Sequence, residues 1–416
     1  MNKTQIKKVY YILPKSVRKI FGRLHIKERI FLLRKNHREK QIIESLRKKE
    51  SIEVVFFAMS VSFWKYDSLF QVMLAHKRYK PCILLVPRPD DPIEIQQRHL
   101  QEMKCFFENK GYPILCNIGK LQPDIIFYAQ PYTQSVSDEL ETYNFPKSLI
   151  CYVPYAFFIS NYKWAYDSAV HNMAWKLFYP TKLHLQNAQE IAFNKGKNVE
   201  ITGYPLSDEF QSPPKTDPWK IKSSSVKRII WGVHHAIFEN DLASCSTFLK
   251  YANFMLDLAA KSPNFQFAFK PHPHLREHLY KHQEWGKEKT DVYYRKWNSL
   301  ANTFLFEGNY IDLFKTSDAL IHDCGSFTVE YLYVNKPILY VGNQRDDILC
   351  HFGKLAMKAN YTLGDFSINE FLSNVSKGID PKKKNREIIL RENLLPPNGK
   401  TSGENIFNIL DRALKQ

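Results

Sequence analysis

Short apolar runs alternate with helix-spaced stretches from Ile52 to Val341, and this restricts the chain to an α/β fold built on parallel sheets. The clearest unit is Ser317–Val341, SDALIHDCGSFTVEYLYVNKPILYV. It predicts a strand at Ala319–His322, a turn at Asp323-Cys324-Gly325-Ser326, a helix over Phe327–Val334 and a strand at Pro337–Val341. Other predicted strands are Ile52–Ser60, Pro81–Val86, Asp124–Ala129, Leu149–Val153 and Val199–Thr202. Helical spacing covers Trp64–Arg78 and Pro92–Asn109, the latter ended by Gly111. Residues 211–225, QSPPKTDPWKIKSSS, are rich in Pro, Ser and Lys and read as a linker. The alternation then restarts: strands at Arg228–Val233, Gln266–Phe269 and Thr303–Phe306, and helices at Leu242–Ala260, Leu275–His282 and Ile311–Lys315.

A length of 416 residues accommodates two such domains, each with its own core. The expected division is a basic helical arm over 1–50, a first α/β domain over 51–210, the linker, a second α/β domain over 226–400 and a closing helix over 401–416. The fold class is therefore α/β, with two Rossmann-like domains facing a cleft. No apolar run approaches the roughly 20 residues of a membrane span. Nor does an apolar segment with a small-residue cleavage site follow the basic start, so no secretory signal is expected. The seven cysteines are scattered, none in C-x-x-C, and imply reduced thiols in a cytosolic protein.

The formal charge of +17 is concentrated at one end. Residues 1–50 hold 16 Lys/Arg against 4 Glu, a net of +12, which leaves +5 for the rest. Within this arm Ile20, Phe21, Leu24 and Ile30–Leu33 alternate with Arg and Lys. Two readings stand: a helix packed on its own domain with a solvated basic face, or one lying on an anionic membrane surface. No nucleic-acid-binding motif follows the arm, so nucleic acid is not an expected partner.

In open α/β sheets, ligands sit beyond the carboxyl ends of the strands. His234 and His235 follow the first strand of the second domain, Lys270, His272 and His274 the next, and Asp323–Ser326 a third. Amides of Gly325 and Ser326 at a helix start, beside imidazoles and an ammonium, suit the phosphates of a nucleotide diphosphate. Glu330, one turn in, is placed to accept hydrogen bonds from sugar hydroxyls. In the first domain, Lys65, Tyr66, Asp67, Tyr155, Asn161, Asp167 and His171 follow strands and are candidate acceptor-side residues; the bland alternative is aromatic core packing. His274-Leu275-Arg276-Glu277-His278 fits H-x-x-E-H, but no further ligand stands out, so no metal site is expected. NGKT at 398–401 lacks the first glycine of a P-loop.

FKPHP (269–273), GYPLSDEF (203–210), NGKTSGENI (398–406) and the 317–341 unit together resemble the CDP-glycerol glycerophosphotransferases. The resemblance spans about residues 150–410. It implies GT-B architecture, a peripheral position on the inner face of the membrane, and transfer of an alditol phosphate from a CDP-alditol to a polymer or lipid-linked hydroxyl. By similarity His272 contacts phosphate, Asp323, Ser326 and Thr328 hold the pyrophosphate, and Glu330 binds the ribose. The family's His-Gly pair is replaced here by Pro154-Tyr155, leaving Asp67, Asp167 and His171 as substitute bases. The resulting expectation assigns catalysis to His272, His234, His235 and Asp67, and donor binding to Lys270, Asp323, Gly325, Ser326, Thr328 and Glu330. No tightly bound cofactor is implied, though a divalent cation is compatible. The competing expectations are a GT-B glycosyltransferase using a nucleotide sugar for surface polysaccharide, and a non-catalytic basic binding protein.

Overall fold

The computed structural model describes residues 26–89, 91–115, 119, 122–128, 130–132, 136–238, 246–343 and 346–415, with side chains from residue 34 apart from 138 and 143. A first sheet holds β1 (Ile52–Ala58), β2 (Tyr79–Leu85), β3 (Ile114–Leu115), β4 (Ile125–Tyr128), β5 (Leu149–Tyr152), β6 (Lys176–Tyr179) and β7 (Val199–Ile201). Its order is β3-β2-β1-β4-β5-β6-β7, and every pairing is parallel. A second sheet holds β8 (Lys227–Val233), β9 (Phe265–Pro271), β10 (Thr303–Leu305), β11 (Ala319–His322), β12 (Ile338–Tyr340) and β13 (Tyr361–Thr362), in the order β10-β9-β8-β11-β12-β13. It too is parallel throughout.

The apolar runs are continuous because both faces of each sheet are covered. Along β1, Val54 and Phe56 enter one core, with Met73 and Phe107, while Val55 and Phe57 enter another, with Tyr128 and Val136. In β8, Ile229 and Trp231 face Phe248 and Trp297, whereas Ile230 faces Phe304 and Phe314. In each sheet the strand order reverses once, between β1 and β4 and between β8 and β11. In open α/β sheets such reversals, beyond the strands' carboxyl ends, are where ligands bind.

Two predicted helices come out differently. Over Trp64–Arg78 the regular helix is only Asp67–Ala75, preceded by a 3-10 turn at Val61–Phe63. Tyr66 is drawn out of the helix because its hydroxyl donates to the Tyr128 carbonyl at 2.6 Å, which leaves Lys65 in the loop at the end of β1. Phe327–Val334 divides into an α-turn, Phe327–Glu330, and a 3-10 turn, Tyr331–Val334, closed by Asn335 at φ 50°. Residues 212–226 carry no helix or strand and are strapped to the second domain. Trp219 is buried there against Phe304 and donates to Thr316 Oγ1 at 3.0 Å.

The helix Ser402–Lys415 returns to the first domain, where Ile406, Leu410 and Leu414 join the β1 core. Asp208 secures its first turn, accepting from Ser402 N (2.8 Å), Gly403 N (3.0 Å) and Ser68 Oγ (2.7 Å). At 403 a Cβ would lie 2.6 Å from the Leu69 nitrogen, so only glycine lets the two helices approach this closely. GYPLSDEF and NGKTSGENI are thus two halves of one packing contact. In the arm, the helix Ile26–Arg47 sets Leu46 into the same core, and Arg47 bonds the Ala413 carbonyl. Its residues 1–25 lie outside the described residues, as do the side chains of 26–33, which carry most of the apolar and basic alternation. Among the described residues no helix is long and apolar enough to cross a membrane.

Candidate functional site

Carboxyl ends of β8 and β9 bring five imidazoles together. Ring centroids of His235 lie 4.3 Å from His234, 4.0 Å from His272, 5.7 Å from His274 and 5.1 Å from His278. Local backbone sets two of the rings. His234 Nδ1 accepts from Ala236 N and His272 Nδ1 from His274 N, both at 3.1 Å, which places the proton of each neutral ring on Nε2. Burial pulls the His235 imidazole down to about 2, with the neighbouring imidazoles adding to the effect. His272 and His274 are lowered too, burial again the main cause. At neutral pH His235, His272 and His274 therefore carry no fixed charge, and an arriving anion would favour their protonation.

Lys270 supplies the charge at the end of β9. It is 6% exposed, and among the described residues its Nζ has one acceptor, the Pro271 carbonyl at 3.3 Å. Burial pulls its ammonium down to about 8; Cys324 and Glu307 oppose this and Lys65 adds to it. Beyond β11, the Gly325 and Ser326 amides have no acceptor among the described residues. Lys270, the imidazoles and these two amides therefore lie at the carboxyl ends of three strands adjacent in the sheet, β9, β8 and β11.

Asp323 and Thr328 occupy the same segment but are turned inward. One Asp323 carboxylate oxygen accepts from His234 N at 2.6 Å, and the other from Thr247 N and Oγ1 at 2.6 and 2.9 Å. It braces the end of β8 and the helix Phe248–Ala260 against β11, and burial pushes its carboxyl up to about 6. The fully buried Thr328 hydroxyl bonds the Cys324 carbonyl at 3.3 Å. Glu330 is 1% exposed; the Tyr310 hydroxyl donates to it at 2.6 Å. Burial raises the Glu330 carboxyl while Lys65, reaching across from the first domain, lowers it. Lys65 also lies 5.8 Å from the Tyr310 ring centroid.

Other first-domain candidates bond mostly within that domain. Asp67 takes Lys110 Nζ (2.9 Å), Trp64 Nε1 (3.0 Å), Tyr112 OH (3.1 Å) and Gln71 Nε2 (3.3 Å). Asp167 accepts from Asn172 and the Phe193 amide. His171 is buried beside Tyr152, its Nδ1 bonded to Ser168 Oγ at 2.8 Å, and burial pulls it to about 3. Asn161 instead crosses to the second domain, donating to the Ile348 and Asp347 carbonyls. Two residues went unnoticed in the sequence: Arg88, whose charge reaches His274 across the cleft, and Tyr310, the partner of Glu330. Arg88 could have been flagged by its place just after a predicted strand; Tyr310 carried no signal. Among the described residues, no group of His, Cys, Asp and Glu has the arrangement of a metal site, the H-x-x-E-H segment included.

Neither a protein-family model nor a curated protein matches this sequence. Solved structures do share its fold. One, from Listeria monocytogenes and described as a UDP-N-acetylglucosamine 2-epimerase, is 14% identical with a TM-score of 0.58, over 87% of this chain and 96% of that one. The Neisseria meningitidis UDP-GlcNAc 2-epimerase, bound to UDP-GlcNAc, is 14% identical with a TM-score of 0.54, over 88% and 100%. The UDP-N-acetylglucosamine 2-epimerase from Rickettsia bellii is 13% identical with a TM-score of 0.54, over 88% and 97%. At such identities the likeness establishes architecture: two Rossmann-like domains in the GT-B arrangement, as expected from the sequence. It also overturns the resemblance to CDP-glycerol glycerophosphotransferases, for the similar structures are UDP-GlcNAc 2-epimerases and no family model matches. The CDP-alditol donor and the alditol-phosphate transfer drawn from that resemblance fall with it. The motifs that suggested it are strand-end turns and a helix-packing contact, which the fold itself demands.

Proposed function

We propose that this protein is an enzyme that holds a nucleoside diphosphate sugar in the interdomain cleft and transfers the sugar to an acceptor hydroxyl. The observation that carries this reading is Lys270, a buried ammonium with a single backbone acceptor among the described residues, at the end of β9 beside the strand ends that bear the imidazoles and the Gly325–Ser326 turn. Such a lining suits a diphosphate. Lys270, His272 and the Gly325 and Ser326 amides would hold its oxygens, and Glu330 with Tyr310 would take the ribose hydroxyls. UDP-sugars are the first to try, because a structure of the same fold carries UDP-GlcNAc.

In the reaction the bond from the anomeric carbon to the diphosphate oxygen breaks, and the diphosphate leaves with the electron pair. A bond forms from the acceptor oxygen to that carbon, and the acceptor proton passes to a leaving-diphosphate oxygen or to water. Charge grows on the leaving oxygens, where preorganised N–H donors and an ammonium stabilise it most.

A second reading, epimerisation of the bound sugar, is favoured by the names of the structural neighbours. Inverting C2 requires a proton to leave one face and return on the other, which calls for acid–base groups flanking the ring. Among the described residues, the ends of β4 and β5 present Gln130, Tyr132 and Tyr155 rather than carboxylates. Proton NMR of UDP-GlcNAc incubated with the protein in D2O, with chitotriose and lactose as acceptors, separates the two. Transfer predicts UDP release with C2 unchanged and free of deuterium. A C2 epimer carrying deuterium would replace this reading with the second, and no turnover of UDP-GlcNAc, UDP-glucose or UDP-galactose would contradict both.

A further inference from the structure

We propose that the aromatic cluster following β5 is a carbohydrate subsite, seating the acceptor's pyranose ring on Trp164 beside the donor turn; this rests on the transfer reading above. Three rings hold Trp164. Tyr162 stacks on it at 5.5 Å and 17°, Tyr132 meets it edge-on at 5.8 Å, and Phe158 at 6.0 Å. Yet Trp164 stays 38% exposed. The other large exposed aromatic among the described residues is Phe254, which lies on the helix Phe248–Ala260 rather than at a strand end. A fixed, exposed indole beside hydroxyls is amphipathic in the way a sugar ring is: one face of C–H groups, one rim of oxygens.

The hydroxyls are at hand. Tyr132 and Tyr155 share a hydrogen bond at 3.2 Å, which uses one of their two protons. Among the described residues the second has no acceptor, and it can donate to a sugar oxygen. Tyr155 packs on Phe63, two residues before Lys65, and feels the charge of Arg88, which also reaches His274. Its surroundings therefore join those of the imidazole cluster.

The same segment lies directly over the donor turn. The Ile159 side chain lies 3.6 Å from where a Cβ of Gly325 would stand, and its carbonyl accepts from Cys350 N at 2.8 Å. Ser160 forms a β-bridge with Leu349, and Asn161 donates to the Ile348 and Asp347 carbonyls. Trp164 thus follows, by three residues, a backbone pinned at Ile159, Ser160 and Asn161 against the second domain beside the Gly325 turn. That proximity favours an acceptor over an unrelated ligand, because transfer requires the two substrates in one cleft.

The test is saturation-transfer NMR and calorimetry with chitotriose, maltotriose and lactose, on the full chain with UDP present. At least one should bind the wild type, and Trp164→Ala should weaken it by about tenfold while leaving UDP affinity unchanged. Tyr162→Ala, which removes the ring stacked on Trp164, should weaken it less. Failure of all three sugars to bind the wild type, or sugar binding that survives Trp164→Ala, overturns the subsite. If the sugar binds in a Trp164-dependent way but UDP does not bind, the subsite stands as a carbohydrate site and the donor reading falls instead.

Discussion

Lys270→Met is expected to fold at least as stably as the wild type and to bind UDP about 10- to 100-fold more weakly. Both effects come from one feature. The Lys270 ammonium is stripped of water, is pulled down to about 8, and has a single acceptor among the described residues to compensate. Burying a cation in this way costs free energy, and an apolar side chain of similar length removes that cost. Methionine matches the lysine stem closely enough to avoid a cavity. What it cannot do is supply a charge-assisted hydrogen bond to a phosphate oxygen, worth about 1.5–3 kcal/mol. A related consequence is that wild-type affinity for UDP should fade as pH rises above about 8, because the free protein then loses the charge. Thermal melts and UDP titrations of both proteins check this. A large loss of stability in Lys270→Met would make the lysine structural, and unchanged UDP affinity would remove it from the site.

Acid should unfold this protein unusually early, because several imidazoles are buried in neutral form. Burial pulls His171 to about 3 and His184 and His322 to about 4, against roughly 6.5 in an unfolded chain. As pH falls through 6.5 the unfolded state takes up these protons and the folded state does not, so stability is lost from 6.5 downward until the folded groups titrate, His184 and His322 near 4 and His171 near 3. Each imidazole contributes up to about 1.4 kcal/mol per pH unit, and the three together about 4. His235, His272 and His274 push in the same direction. Carboxyls raised by burial act oppositely: Asp323, held near 6, takes up its proton in the folded state first and adds stability as pH falls from 6 towards 4. Glu330, Asp208 and Glu209 share that sense. The histidines begin to act at higher pH, so between 7 and 5 the melting temperature should drop by about 10 °C or more. A flat profile over that range would mean these imidazoles become charged within the fold.

Most of the architecture was legible because a parallel sheet covered on both sides must be written in unbroken apolar runs such as Val54–Phe57 and Ile229–Trp231. Strands too short to show a run, Ile114–Leu115 and Tyr361–Thr362, gave no such signal. The candidate site was legible to the extent that it lies at strand ends: the rings of His234, His235 and His272 do come together there, with Lys270 at the end of the same strand as His272. What the sequence could not show is which way a side chain turns. Asp323 looks like a phosphate-turn residue, yet its carboxylate is committed to His234 and Thr247, 89 and 76 residues away. Asp67 looks like a base after a strand, yet it is taken by Lys110 and Tyr112, more than 40 residues on. Such partners are chosen by tertiary folding, which local pattern does not encode. The same limit explains the misdirected family resemblance. A strand, a Gly-Ser turn and a short helix are what any diphosphate crevice of this architecture needs, whatever nucleotide or group it carries.

The most direct test of the account is a calorimetric titration of the wild-type protein with UDP and, separately, with UMP. If the switch-point cradle of Lys270, His272 and the 325–326 amides holds two phosphates, UDP binds with one site per chain, and UMP, lacking the second, binds at least about tenfold more weakly. No heat with UDP, or equal affinity for the two nucleotides, would contradict it.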